Sequence, residues 1–571
     1  MTVNGSGTPA TAQVSVIVIG YDDAGHIAHA VRSALAQGPV VAEVVAVDDA
    51  STDGTGDILD RLAEREPRLK VVHRTVNSGG CGTPRNDGVR AATAPYVMFL
   101  DSDDALPPRA VAALLDAALR HDVPVAAGLC VRRELPRRRD TPWQRGLYRR
   151  PAVHSSPEEH PALLHDTLCV NKLYARAFLT GHGIAFPEGA FHYEDFVFTA
   201  RVLAASPRVA TVPDPVYIWH VRRNASRPSI SLDRGSVANW QARVLAHQHG
   251  VNVFLDAGSK PLAHAARVKF LDHDLRMYVR ELPSHGPAYG STWWRAARDC
   301  LAAYDEADLR AARAPARWIA RVILASPVPR DLERLAQLAA RPARLLPPYA
   351  EAAGRPVWAP DLPEVLLDGL TGPGAKPARR LPVTVDATLS RGLGPRARLH
   401  LRVHDLYGRL AEARPHTVDV ELRMQDREGT VVEHTAPLAA EEAGWTAALD
   451  VDLAGLSVHG HRPGPAQVWD VRVRIRCEHG GTLRTAVRGV FSGGTAPRPG
   501  VAVSARCGVL VAQPYTATGG SLALRLVPGV RSAAAIAERR LRQRFPLHRP
   551  APFRKHGPGL RAPGVRPSTG V

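Results

Sequence analysis

Four short apolar runs punctuate the first hundred positions: VSVIVI at 14–19, EVVAVD at 43–48, KVVHR at 70–74 and YVMFL at 96–100. Runs of this length bounded by turn residues read as strands covered on both faces, as in parallel sheets. Between them the period changes. Ile27, Val31, Ala34 and Leu35 recur at three- and four-residue spacing and give one apolar helix face. DILDRLAERE predicts a second helix, its start signalled by Ser51, Thr52 and Asp53. Strand and helix therefore alternate, which predicts an α/β parallel sheet over this stretch. From about 232 to 346 the texture is long, Ala- and Arg-rich and helical, and a crowd of Pro and Gly at 347–377 marks a boundary. Beyond it RLHLRVHDL, TVDVELRMQ and VWDVRVRIRC alternate with period two, which predicts antiparallel strands in one or two small β-sandwiches.

Composition narrows the class. A chain of 571 residues, 45% hydrophobic, supports two to four packed domains. The expected division is 1–231, an α/β domain; 232–346, a helical linker; 378–529, a β-rich accessory or oligomerisation region; and 530–571, a basic, disordered tail. The net charge of +18 calls for an anionic partner, with nucleic acid, acidic lipid headgroups and a polyphosphate polymer all admitted. From Arg531 to Val571 ten Arg or Lys face one Glu, so half of the excess lies in that tail, which reads as a short basic helix with a disordered end. A solvated tail and a membrane-surface role fit it equally. Six cysteines, Cys81, Cys130, Cys169, Cys300, Cys477 and Cys507, stand without a CxxC pair, which argues against a zinc site or a disulfide framework. No secretory leader and no apolar segment of about eighteen residues is present, so a cytoplasmic protein with reduced thiols is expected.

Chemistry-bearing residues gather at the predicted strand ends: Asp48 and Asp49, then Asn77 to Gly80, then Asp101, Asp103 and Asp104 in FLDSDDALP. A single such cluster reads equally well as a solvated turn. Three at successive carboxyl ends suit the crevice where open α/β sheets bind ligands, with a carboxylate for a nucleoside, a glycine loop for close backbone approach and a DxD for a divalent cation. A dinucleotide oxidoreductase fails on spacing, because GYDDAGH stands where GxGxxG is needed. Nucleic-acid binding has no recognised module among the basic stretches. A non-catalytic polyanion-binding scaffold is a third alternative.

In VSVIVIGYDDAGHI, VVAVDDASTDGT, NSGGCGTPRNDG and YVMFLDSDD the chain resembles the family 2 glycosyltransferases, inverting enzymes of the GT-A fold, over roughly the first 230 residues. Within them it is most similar to the poly(ribitol-phosphate) N-acetylglucosaminyltransferases of wall teichoic acid synthesis. The resemblance implies a Rossmann-like nucleotide-diphospho-sugar transferase domain and a UDP-sugar donor. It also implies Mn²⁺ or Mg²⁺, a cell-envelope polymer such as a polyol-phosphate chain as acceptor, and a homotrimer built by the carboxyl-terminal modules. Another exopolysaccharide or a glycolipid is the alternative acceptor. Tyr21, Asp22 and Asp49 would border the uridine, and Asn77, Arg85, Asp101 and Ser102 would complete the donor pocket. Asp103 would hold the metal. Glu194 and Asp195 in AFHYEDFVF match the family's acid pair, with Asp195 as base. In YIWHVRRNASRPSIS, Arg222 or Arg223 would neutralise phosphate and His220 would join the metal. Where family members have P-T/S-Y-N, this chain has Ile19, Gly20, Tyr21 and Asp22.

Overall fold

The structure is a computed structural model that describes residues 13–528, apart from 136–138, 206–207, 223–233, most of 341–349, 369–382 and several short loops of the carboxyl-terminal part. The basic tail and Arg223 therefore lie outside the described residues. The chain divides into two compact units, 1–372 and 373–571.

The amino-terminal unit is built on a nine-stranded sheet. Its first half comprises β1 (Val14–Gly20), α1 (Ile27–Leu35), β2 (Val41–Asp48), α2 (Thr55–Ala63), β3 (Leu69–His73), α3 (Gly82–Ala91), β4 (Tyr96–Asp101) and α4 (Ala110–His121). All four of these strands run parallel, in the spatial order β3-β2-β1-β4, with Ile19 beside Asp101 in register. They are the apolar runs of the sequence, and Val16, Ile17, Val18, Val44, Val45, Val97, Met98 and Phe99 are fully buried. The strand order reverses between β1 and β4, where a doubly wound sheet opens its binding crevice. The α2 start differs from the expected one. Gly54 precedes it in the left-handed region (φ 91°), and of the three expected residues only Asp53 reaches the helix start, accepting the Thr55 N–H at 3.0 Å. Ser51 and Thr52 instead bond to Asp22, tying the β2 exit to the β1 exit.

The second half adds β5 (Val125–Leu135), β6 (Arg139–Pro142), β7 (Ala152–His154), β8 (Lys172–Ala175), α5 (Arg176–Gly181), α6 (Glu194–Ala205) and β9 (Val209–Arg222). Here β8 is antiparallel to both β4 and β5, while β5 and β9 pair in parallel. Helices follow: α7 (Val237–Asp256), α8 (Lys260–Lys269), a π-helical turn Phe270–Leu275, α9 (Arg276–Val279), α10 (Pro287–Leu301), α11 (Glu306–Ala311), α12 (Ala314–Ala325) and α13 (Leu332–Ala339). Trp240, Trp293 and Trp294 are fully buried there. None of the described helices is long and apolar enough to cross a membrane.

The carboxyl-terminal unit pairs a five-stranded and a seven-stranded sheet. Leu399, Leu401 and Val403 of one sheet and Val418, Val420, Leu422, Trp469 and Val471 of the other share one apolar core. The alternation read from RLHLRVHDL is the alternation of inward Leu and Val with outward Arg and His.

Candidate functional site

The crevice lies at the carboxyl ends of β1 and β4, and its polar residues are bound to one another rather than scattered. After β1, Tyr21 is 44% exposed and Asp22 adopts φ 48°. The Asp22 carboxylate accepts the Thr52 N–H at 2.7 Å. Asp23, which the sequence reading passed over, accepts the Ser102 hydroxyl at 2.6 Å and so links the β1 exit to the β4 exit. Its signal was only the second Asp of YDD, a pattern that any turn can carry.

Asp49 is buried, and its carboxylate is spent on the neighbouring loop. It accepts the Ser78 hydroxyl at 2.7 Å and the Asn77 amide at 3.1 Å, and it forms an ion pair with Arg74, whose Nε lies 2.8 Å away. Asn77 in turn accepts the Gly79 N–H at 2.9 Å. The glycines that follow are small because protein packs against them. A Cβ on Gly80 would stand 2.4 Å from the Gly189 carbonyl oxygen, and one on Gly82 only 2.0 Å from that of Pro187. Their close backbone approach is toward residues 187–191, the segment that leads into α6.

Arg85, on α3, is the centre of the site. Its side chain is 3% exposed, and it donates to Asp101 at 2.7 Å, Glu194 at 2.5 Å and Asp195 at 3.3 Å. Phe186 and Phe198 stack at 3.8 Å beneath it, with Phe99 of β4 edge-on to both, so the strand end and the start of α6 are held by one aromatic cluster. One guanidinium faces three carboxylates, of which Glu194 and Asp195 are largely buried while the Asp101 side chain is 34% exposed. Burial accordingly raises the Asp195 and Glu194 pKa values, with Arg85 opposing and the neighbouring acid charges adding to the rise. Asp195 also accepts the Cys169 N–H at 3.4 Å.

The DSDD turn splits into two roles. Asp103 reaches outward with a side chain 47% exposed and binds Arg222 at 2.9 Å. Burial beneath neighbouring groups and the Asp101 charge push its carboxyl up to about 6, against the pull of Arg222. Asp104, grouped with the cation-facing acids in the sequence, is turned inward and buried. It accepts the Tyr217 hydroxyl and the His220 N–H, each at 2.7 Å. These bonds fasten β9 to the turn, because strand neighbours are decided by tertiary pairing. His220 Nδ1 lies 3.0 Å from the Asp103 carbonyl oxygen. A carbonyl only accepts, so Nδ1 carries the proton and Nε2 keeps its lone pair. Burial lowers the His220 pKa and favours this neutral form.

Among the described residues no group of three or more His, Cys, Asp or Glu is arranged to hold a metal ion by itself. The donor chemistry still fits one class of ion. Asp103 and Asp101 offer hard carboxylate oxygens, and Mg²⁺-type sites take one or two of these while substrate phosphates and water fill the remaining positions.

The order of these elements and their motifs matches the sequence profile described as Glycosyl transferase family 2 over residues 15–182. Residues 15–182 belong to that family. Among curated relatives, the poly(ribitol-phosphate) beta-glucosyltransferase of Bacillus spizizenii is 28% identical over 33% of this chain and 29% of its own length. The poly(ribitol-phosphate) beta-N-acetylglucosaminyltransferase TarS of Staphylococcus aureus is 31% identical over 33% of this chain and 31% of its own. The succinoglycan biosynthesis protein ExoO of Rhizobium meliloti is 29% identical over 38% of this chain and 64% of its own. The chain thus matches under a third of the length of the first and second of these. The crystal structure of S. aureus TarS aligns with 90% of this chain and 85% of its own at a TM-score of 0.51 and 18% identity, a likeness of fold. The family 2, GT-A-like assignment agrees with the resemblance read from the four motifs.

Proposed function

We propose that the amino-terminal unit transfers a sugar, with inversion, from a UDP-linked donor to a hydroxyl of a cell-envelope polymer, with Asp195 as general base. The observation that carries this is Arg85, which joins Asp101 at the β4 exit to the acid pair at the start of α6. Asp195 takes the proton of the acceptor hydroxyl as its oxygen attacks the anomeric carbon, and the bond from that carbon to the diphosphate breaks with its electrons on the leaving group. A raised pKa makes the carboxylate a stronger base near neutral pH. Glu194 holds Arg85 in place. Tyr21, Asp22 and Ser102 line the nucleoside side of the crevice, while Asp49 and Asn77 shape the loop beside it.

Asp103, with His220 and Asp101 beside it, would hold Mn²⁺ or Mg²⁺, whose charge would offset that of the departing diphosphate. Arg222, which bridges to Asp103, supplies further positive charge, and Arg223 would add to it. We read 1–231 as the catalytic domain, 232–346 as its helical linker, 378–529 as a module for polymer binding or trimer formation, and 530–571 as a basic segment suited to an anionic membrane surface. A polyol-phosphate acceptor is favoured by the names of two relatives and by the net charge of +18. A different exopolysaccharide is the second reading, favoured by the 64% of ExoO that aligns.

The test is a mass-spectrometric screen of UDP- and GDP-sugars with Mn²⁺, followed by Asp195→Asn on the best donor. Turnover should fall by ~10²–10⁴ with UDP affinity unchanged. Undiminished turnover in that variant, or no turnover of any donor by the natural protein, would sink the proposal.

A further inference from the structure

Tyr193 immediately precedes the acid pair and has φ 63°, in the left-handed region. A bulky residue stays there only where its surroundings over-determine it, and such residues gather at functional sites. The Tyr193 carbonyl accepts the Phe196 N–H at 3.0 Å, so this residue opens α6. Its side chain is gripped from α7. The hydroxyl donates to Asn239 Oδ1 at 2.9 Å, and the Arg243 guanidinium lies 4.2 Å from the ring centroid.

Both α7 groups are buried and fixed from behind. Asn239 Oδ1 also accepts the Tyr278 hydroxyl. Arg243 is bound by Asp274, a fully buried carboxylate presented by the π-helical turn, whose other oxygen lies 3.0 Å from Lys269 Nζ. Lys269 in turn stands 4.5 Å over the Phe196 ring, one turn into α6. π-Helical turns are rare and frequent at functional sites. The helical layer thus spends a buried ionic network on the first turn of one helix.

We infer that Tyr193 is a positioning residue, locked in its strained turn by Asn239 and Arg243, through which the helices after residue 231 fix Glu194 and Asp195 against Arg85. The inference rests on the reading of Asp195 as base. A small displacement of such a group is costly: misplacement by about 1 Å takes on the order of 100-fold from the rate.

The test compares Tyr193→Gly, which removes the ring but tolerates the backbone, with Tyr193→Phe, which keeps the ring over Arg243, in the full chain. With the best donor of the screen, kcat in Tyr193→Gly should fall on the order of 100-fold while donor KM stays within about twofold. Tyr193→Phe should restore most of that loss, and hydrogen exchange should report faster amides across 193–198 in Tyr193→Gly alone. Asp195→Asn, measured beside them, separates the two levels. If that variant keeps its activity, the reading of the base fails, and exchange at 193–198 still decides whether the clamp exists. If Asp195→Asn is inactive while Tyr193→Gly retains the natural kcat and exchange pattern, the positioning role is overturned. Should Tyr193→Gly not fold, Tyr193→Asn replaces it, since Asn also removes the ring and tolerates the left-handed backbone, and unchanged kcat there overturns the inference equally.

Discussion

The crevice of the amino-terminal unit and the carboxyl-terminal sandwich treat buried charge in opposite ways. At the β4 exit one guanidinium, Arg85, faces three carboxylates, whereas in the carboxyl-terminal unit one fully buried carboxylate, Asp419, is held by two guanidiniums, Arg474 at 2.9 Å and Arg476 at 2.8 Å. In the other sheet of the same unit, Asp386 bonds Arg488 at 2.6 Å and His404 at 3.0 Å. The pKa directions follow. Burial pushes up Asp103, Asp104 and Glu194, while hydrogen bonds from His404 and Arg488 overcome burial and hold Asp386 at about 2. Hydrogen bonds from Arg476, Thr435 and Arg474 likewise lower the Asp419 pKa against burial. Acids whose charge is satisfied stabilise a sandwich. Acids left short of positive charge cost stability, and they cluster where a cation or a proton transfer would use them.

Arg85→Met should break this contrast most. It strands three acids with no buried cation and should cost ~3–5 kcal/mol of stability in urea unfolding of the amino-terminal unit, with the sandwich transition unmoved. Asp103→Ala should abolish Mn²⁺-dependent turnover, by on the order of 100-fold or more, yet leave the melting temperature of the unit unchanged or higher. Unchanged turnover would remove Asp103 from the metal assignment. Asp419→Asn should cost about 1.5–3 kcal/mol, the range for a hydrogen bond to a charged group, because Arg474 and Arg476 can still reach water.

The smallest effect sharpens the comparison by pH. The Asp103 carboxyl, raised from ~3.9 to about 6, binds its proton more tightly in the folded state. Its contribution is therefore present at low pH and lost as pH rises through about 6. For Asp386 the sign reverses, and its contribution is lost as pH falls from ~3.9 toward about 2. Calorimetry from pH 7.5 down to 5 should raise the transition of the amino-terminal unit slightly and leave that of the sandwich in place. Solvent exposure of Asp103 keeps this shift modest.

Much of the framework was legible in one dimension. The runs VSVIVI, EVVAVD and YVMFL are apolar because both faces of a parallel strand are covered, and that requirement acts on every residue in the run. NSGGCGTPRNDG was legible as a functional loop, but its glycines answer to Pro187 and Gly189, about a hundred residues away in sequence. Asp104 read as one acid among three, since nothing local tells an inward carboxylate from an outward one. Its partners, Tyr217 and His220, come from β9.

The amino-acid order alone determined the periodicities, the strand ends that carry acids and the family motifs, because these depend on near neighbours and on which faces are covered. Tertiary structure decided which acids share a cation. Arg85 meets Asp101, Glu194 and Asp195 only when α3, β4 and α6 converge, and Tyr193 meets Asn239 and Arg243 only when α7 packs beside α6. Electrostatic consequence depends on distance and burial, and neither is written in the spacing of residues along a chain.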